Sequence, residues 1–90
     1  MTGQFVTSKA GHDKDTLYLI VAEEGDFVEL CDGRSRLLQK PKRKRRKHIQ
    51  PINQMADESL VQALLGGKAT DERIRAAIKQ YTAKRQGNSF

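Results

Sequence analysis

The stretch that decides the fold is residues 27–38 of this 90-residue chain. It reads Phe27-Val28-Glu29-Leu30-Cys31-Asp32-Gly33-Arg34-Ser35-Arg36-Leu37-Leu38. An Asp-Gly pair between two strand-like runs predicts a tight type I′ hairpin, because both central residues of that turn need a positive φ. We therefore predict that residues 34–38 pair back onto a strand over residues 27–31, in which Val28 and Leu30 share one face.

Three other runs are typical of strands. Residues 4–9 form a short run that is partly β-branched. Residues 16–22 are apolar at both parities, which favours a central strand covered on both faces. Residues 48–52 indicate an edge strand, because Pro51 has no N–H for a central ladder. Together with the hairpin these runs make about five short strands, which favour a small closed barrel over a sandwich.

The apolar period changes to that of a helix from residue 57 onward. Asp57 or Ser59 can cap a first helix, which the Gly-Gly pair at residues 66–67 ends, and Thr70 can cap a second. The apolar stripes of the two helices are Leu60, Val61, Leu64 and Leu65, and Ile74, Ala77, Ile78 and Tyr81. Helices this short are not stable alone, so we expect the stripes to pack on each other or on the barrel.

The predicted fold is thus mainly β with C-terminal helices, in a chain long enough for one domain and one small core. We expect residues 1–54 to form the barrel, including a basic segment at residues 40–48. Residues 55–86 form the two-helix extension, and residues 87–90 a frayed tail.

Positive charge is concentrated in one block of the chain. The chain has 17 Lys and Arg against 11 Asp and Glu, which gives a formal net charge of +6. Seven of the bases lie within residues 40–47, which leaves 10 bases against 11 acids elsewhere. The seven are Lys40, Lys42, Arg43, Lys44, Arg45, Arg46 and Lys47. Such a block repels itself, so we expect it to remain unburied as a loop or strand end, in water or against a polyanion.

Several function classes lack support in the sequence. A single cysteine allows no internal disulfide and fits a reducing cytoplasm. Two histidines and one cysteine do not match zinc-ligand spacings, and neither a phosphate-binding loop nor a catalytic acid pair is present. Short apolar runs and the polar first nine residues predict neither a membrane span nor an export segment. We therefore predict a cytoplasmic protein without catalysis, metal or cofactor, and nucleic acid as its partner rather than an anionic membrane.

Other polar residues extend the predicted binding surface beyond the basic block. Arg34 and Arg36 lead directly into the block, and His48 follows it. In the loop of residues 9–14, His12 can stack on a base while Lys9 or Lys14 contacts phosphate; an ordinary polar turn is the alternative. Arginines stack on bases as well as binding phosphate, so we expect Arg43, Arg45 and Arg46 to be better base readers than the lysines.

Side chains outside this surface have simpler expected roles. At their spacing, Tyr18 and Phe27 are expected in the core rather than on a stacking platform. Cys31 is expected to be a small half-buried side chain rather than a nucleophile, and Glu23 and Glu24 are expected to be solvated.

Part of the chain resembles the KOW motif. The resemblance rests on Ser8-Lys9-Ala10-Gly11-His12-Asp13-Lys14 before an apolar strand, and on Val28-Glu29-Leu30-Cys31-Asp32-Gly33. It covers roughly residues 3–52. The chain is most similar to small bacterial KOW-domain RNA-binding proteins, which are themselves similar to large-subunit ribosomal proteins of archaea and eukaryotes. The end of the basic block at Lys47-His48 and the helix start at residues 70–74 are similar to that group as well.

The resemblance implies an SH3-like β-barrel that binds RNA, with ribosomal RNA as the first candidate and the ribosome or translation as its setting. We expect a monomer. KOW modules also occur in transcription factors, where some bind protein or DNA. A protein–protein adaptor and a nonspecific DNA-binding protein therefore remain open as alternatives.

Overall fold

The computed structural model describes residues 1–9 and 16–87. Within these ranges, side chains are described as far as residue 84. Its strands are β1 (Gln4–Ser8), β2 (Leu17–Glu24), β3 (Phe27–Cys31), β4 (Lys42–Arg45) and β5 (Ile49–Met55), and its helices are α1 (Glu58–Leu65) and α2 (Asp71–Gly87). A 3-10 turn (Arg46–His48) joins β4 to β5. This is a mainly β domain with two C-terminal helices, as the sequence predicted.

The five strands form one antiparallel sheet in the order β4-β3-β2-β1-β5. The run at residues 16–22 becomes β2, the central strand, which confirms the expectation from its two apolar faces. The run containing Pro51 becomes β5, at one edge, where Pro51 lies opposite Val6 of β1. A proline is tolerated there because an edge strand has one side without ladder partners.

The predicted partner of β3 was wrong. Residues 34–38 form a compact loop, in which Asp32 Oδ1 accepts the backbone N–H groups of Arg34 and Arg36, both at 2.8 Å. These hydrogen bonds to the Asp32 side chain occupy backbone N–H groups that would otherwise pair with a neighbouring strand. The basic block takes the place beside β3 instead: its strand β4 pairs from Leu30 opposite Lys42 to Phe27 opposite Arg45.

The sheet is open but strongly curled. β4 and β5 lie at opposite edges, yet only residues 46–48 connect them. Five flat strands would place the edges about 19 Å apart. The four steps from Arg45 to Ile49 span at most about 14 Å when fully extended. The edges must therefore approach each other, and Lys44 Nζ reaches Ser8 Oγ of β1 at 2.6 Å across the concave face.

Two clusters of buried side chains lie on the two faces of the sheet. The concave face buries Val6, Tyr18, Ile20, Val28, Leu30 and Ile49. The other face buries Phe5, Leu19, Val21, Cys31 and Ala56 together with Leu60 of α1 and Ile74 of α2. Apart from Leu65, which is exposed, the apolar stripes of both helices thus pack on the sheet, which is one of the two arrangements expected. The Phe5 and Tyr81 rings stack with centroids 4.7 Å apart and join α2 to β1.

The helix boundaries follow the capping signals. Asp57 Oδ1 accepts the N–H of Leu60 at 2.8 Å, and Thr70 Oγ1 accepts that of Arg73 at 3.2 Å. Gly66 caps the end of α1. Of the expected tail, Gly87 belongs to α2, and residues 88–90 lie outside the described part of the chain. Neither helix is long and apolar enough, over the residues described, to cross a membrane.

Candidate nucleic-acid interface

The basic block forms an edge strand whose side chains alternate between the two faces of the sheet. Lys42 and Lys44 are partly buried, whereas Arg43 and Arg45 are exposed. The lysines lie opposite Leu30 and Val28, which belong to the concave core, so they point to the concave face. The expectation of an entirely unburied block was wrong for these two lysines, because strand geometry turns every second residue inward.

The two inward lysines lie at the rim of the concave core. Lys42 Nζ is 5.8 Å from the centroid of the buried Tyr18 ring, a cation–π geometry. Lys44 Nζ donates a hydrogen bond to the hydroxyl oxygen of Ser8, a residue that is only 1% exposed. Burial, and then the charge of Lys44, lower the pKa of Lys42 from its ordinary value. The lysines therefore contribute charge at the edge of the sheet while their stems cover apolar surface.

Phe27 carries the two outward arginines. Its ring centroid lies 4.3 Å from Cζ of Arg43 and 5.3 Å from Cζ of Arg45. Phe27 is partly exposed and belongs to neither buried cluster, so the prediction that it is a core residue was wrong. Guanidinium groups stack on nucleic-acid bases as well as on aromatic rings, so arginines gathered at this ring suit contact with a base. This arrangement could not be predicted from the sequence, because it depends on the pairing of β3 with β4.

The hairpin between β2 and β3 supplies acidic partners to the block. Arg43 Nη2 lies 3.2 Å from Glu24 Oε1, and Arg46 Nη1 lies 3.0 Å from Glu23 Oε1. Arg46 Nε also donates to the carbonyl of Gly25 at 2.9 Å. Both glutamates are exposed, as expected, and each also pairs with an arginine of the block. Exposed pairs of this kind contribute only about 0–1 kcal/mol, so a phosphate can replace the carboxylates.

Glu23 holds a second cation in addition to Arg46. The Met1 amino group lies 2.8 Å from Glu23 Oε1. The hydrogen bond from this amino group, more than the one from Arg46, lowers the pKa of Glu23. Glu23 therefore stays ionised, and remains a competitor for Arg46, to lower pH than an ordinary glutamate.

The remaining predicted site residues are placed around the ends of β4. Lys40, Lys47 and His48 are exposed, and the backbone N–H of Lys9 donates to the carbonyl of His48 at 3.0 Å. The structure thus brings Lys9 beside the end of the block. The other two residues predicted in that loop, His12 and Lys14, lie outside the described residues.

Arg34 and Arg36 lie at the opposite end of β4, in the loop after β3. Arg34 is exposed, whereas Arg36 is partly buried and hydrogen-bonds the Tyr18 hydroxyl. Burial and the nearby Asp32 carboxylate raise the pKa of Tyr18, which the Arg36 charge opposes. Because Lys42 lies over the same ring, Tyr18 joins Arg36 to β4.

Cys31 is fully buried beneath the helices, more deeply than the half-buried side chain expected from the sequence. Burial, then the negative charges of Asp71, Asp32 and Glu29, raise the pKa of its thiol to about 12. The thiolate needed for reaction is therefore scarce at neutral pH. Within the described residues, no group of three or more His, Cys, Asp or Glu side chains could hold a metal ion.

We expect the Cys31 thiol to resist Ellman's reagent in the native protein at pH 8 and to react at once in denaturant. The reason is double: the sulfur is inaccessible, and burial disfavours the thiolate. Absorbance at the released thionitrobenzoate band gives the rate. Rapid, stoichiometric labelling of the folded protein would contradict this placement of Cys31.

No known protein family matches the chain, and no curated protein sequence matches it significantly.

Proposed function

We propose that this chain is a noncatalytic RNA-binding protein of the KOW type, with ribosomal RNA as its first candidate ligand. We further propose that the curled sheet is an SH3-like barrel whose edges meet at residues 46–48. One observation carries the proposal: the basic block forms an edge strand with cations on both faces, the outer pair within cation–π distance of the Phe27 ring. Cations this close together repel one another, which destabilises the folded protein. A bound polyanion offsets this repulsion between the cations of the basic block.

The proposed binding mode separates positioning from reading. Lys40, Lys47 and the inward lysines of β4 contact phosphates and set the register of the RNA, without reading sequence. Arg43 and Arg45, gathered at the Phe27 ring, stack on bases that are splayed out of a loop or bulge. Phosphates replace Glu23 and Glu24 as partners of Arg46 and Arg43 when RNA binds. In this role the protein acts in the cytoplasm, on the ribosome or during its assembly.

A protein–protein adaptor, in transcription or ribosome assembly, is the second candidate. Exposed apolar side chains favour it: Leu65 is 66% exposed, and Leu37 and Met55 are each 38% exposed. An affinity purification from cells, with and without nuclease, separates the two functions. Partners retained after nuclease treatment would support the adaptor, and partners lost with the RNA would support the RNA-binding role.

Fluorescence anisotropy with a labelled RNA stem-loop and the DNA stem-loop of the same sequence tests the proposed function. We expect the RNA to bind more tightly, because a loop-binding surface adapted to A-form flanks and 2′-hydroxyls loses contacts on DNA. Equal affinities would replace the proposal by nonspecific DNA binding, the third candidate. If neither stem-loop binds, nucleic acid is not the ligand, and the protein–protein adaptor becomes the proposed function.

A further inference from the structure

A second group of cations lies on α2, away from the basic block. Residues 73–85 contain five bases and no acid: Arg73, Arg75, Lys79, Lys84 and Arg85. Positions 75 and 79 are four residues apart and share one face of the helix, whereas positions 73 and 84 fall on the opposite face. Outside the basic block the chain has nearly equal numbers of acids and bases, but the bases are concentrated in one helix, α2.

Arg75 and Lys79 border a cavity of about 450 Å³ between α2, the start of β2 and the loop after β3. Arg34 contributes a third cation to its wall. Leu17 and Ile78 line it as well and are partly buried, so the cavity combines an apolar floor with a cationic rim. Cations around an apolar floor suit a ligand that carries both a phosphate and a flat ring.

Asp32 is the one carboxylate among the described residues that line this cavity, and the loop already uses it. Its Oδ1 accepts the N–H groups of Arg34 and Arg36, both at 2.8 Å. Arg75 Nη1 donates to the carbonyl of Gly33 at 3.2 Å, which fixes the guanidinium at the rim. The three cations therefore outnumber the acid, and the site is positive overall.

The cavity is connected to β4 by a path of cations. Arg34 at its rim lies two residues from Arg36, which hydrogen-bonds the Tyr18 hydroxyl. Lys42 of β4 lies over the same Tyr18 ring. Arg36 and Arg34 therefore lie between the inward lysines of β4 and the cavity, beside the Asp32 carboxylate, whose Oδ1 is already bonded to the loop amides.

We propose that this cavity is a second RNA site, which binds one nucleotide of the strand that β4 holds. Arg75, Lys79 and Arg34 contact its phosphate, and its base packs against Leu17 and Ile78. The inference rests on the proposed function and goes beyond it, because it makes α2 part of the binding surface rather than only a cover for the sheet.

The test compares two double variants that change the same charges on opposite faces of α2. The site variant is Arg75→Gln with Lys79→Gln, and the control is Arg73→Gln with Lys84→Gln. The ligand is a fluorescein-labelled single-stranded RNA of about 16 nucleotides, a length within the usual range for such sites. Anisotropy is measured between about 50 and 200 mM salt, so that both affinity and salt slope are obtained.

We expect the site variant to lose about tenfold in affinity and its salt slope to fall by about 1, the effect of one lost phosphate contact. The control is expected to lose less than about twofold and to keep its slope. Equal losses in both variants, or no loss in either, would overturn the second site. Lys79→Gln alone leaves the Arg75–Gly33 hydrogen bond intact and serves if the double variant fails to fold.

Two further measurements distinguish a failure of the second RNA site from a failure of the proposed RNA-binding function. Inorganic phosphate is titrated while amide chemical shifts near Lys79 are followed. Saturation by phosphate without any change in RNA affinity would assign the cavity to a free anion and overturn the RNA site. Wild-type protein and a β4 variant are titrated in parallel: if β4 substitutions abolish binding while the α2 substitutions do nothing, the proposed function stands and only the second site is lost.

Discussion

Replacing Gly33 by alanine is expected to destabilise the fold by about 3 kcal/mol. Gly33 has a φ of 78°, which costs an L-residue about 1–2 kcal/mol. An added Cβ would also lie 2.5 Å from the Asp71 carbonyl oxygen and 2.7 Å from the Arg75 backbone nitrogen. These are backbone atoms of α2, so relief requires the loop and the helix to separate.

Gly25→Ala is the matched control for this prediction. Gly25 also has a positive φ, of 58°, but no atom lies within 4 Å of the position of its missing Cβ. Gly25→Ala should therefore destabilise the fold only by the cost of a positive φ for an L-residue, about 1–2 kcal/mol. Urea unfolding followed by circular dichroism gives both values. If the two substitutions cost the same, the loop after β3 does not dock against α2 as described.

Removing five of the seven charges of the basic block is expected to lower RNA affinity at least about 100-fold at moderate salt, since most of its phosphate contacts are lost. The variant replaces Lys42, Arg43, Lys44, Arg45 and Arg46 with alanine. Anisotropy with the RNA stem-loop measures the change, and the salt slope should become much shallower, with the remainder carried by cations that the variant keeps, such as Lys40 and Lys47. Unchanged affinity would remove the RNA-binding proposal.

This five-residue variant also removes contacts within the fold, among them the Lys44 bond to Ser8 and both cations over Phe27. Its thermal melting is therefore measured first. A milder variant, Arg45→Gln with Lys47→Gln, changes two exposed side chains and should lose about tenfold in affinity. The control is Lys68→Gln with Lys84→Gln, which makes the same charge change at two exposed positions outside the block. Equal losses in the two double variants would mean that net charge alone matters.

The parts of the fold that local chemistry determines could be predicted from the sequence. The central strand β2 follows from apolar residues at both parities, since each parity faces its own buried cluster. Asp57 and Thr70 cap the helices because a side-chain oxygen satisfies an amide three residues away, which is a matter of spacing alone.

The parts that depend on long-range pairing could not. The Asp-Gly signal located the turn after β3, but Asp32 bonds the amides beyond it and so displaces the partner strand to the basic block. That displacement places Arg43 and Arg45 over Phe27 and turns the two lysines inward. No residue pattern within 27–38 contains this information, because it depends on which distant segment fills the vacant edge of β3.

The dependence of RNA affinity on salt tests the central claim most directly. If four to six cations of the basic block meet phosphates, the logarithm of the association constant falls with the logarithm of salt concentration at a slope of about −3 to −5. We predict that slope for the wild-type protein with the RNA stem-loop. A slope near zero, or no binding even in dilute buffer, would contradict the claim that this edge strand is built to meet a phosphate chain.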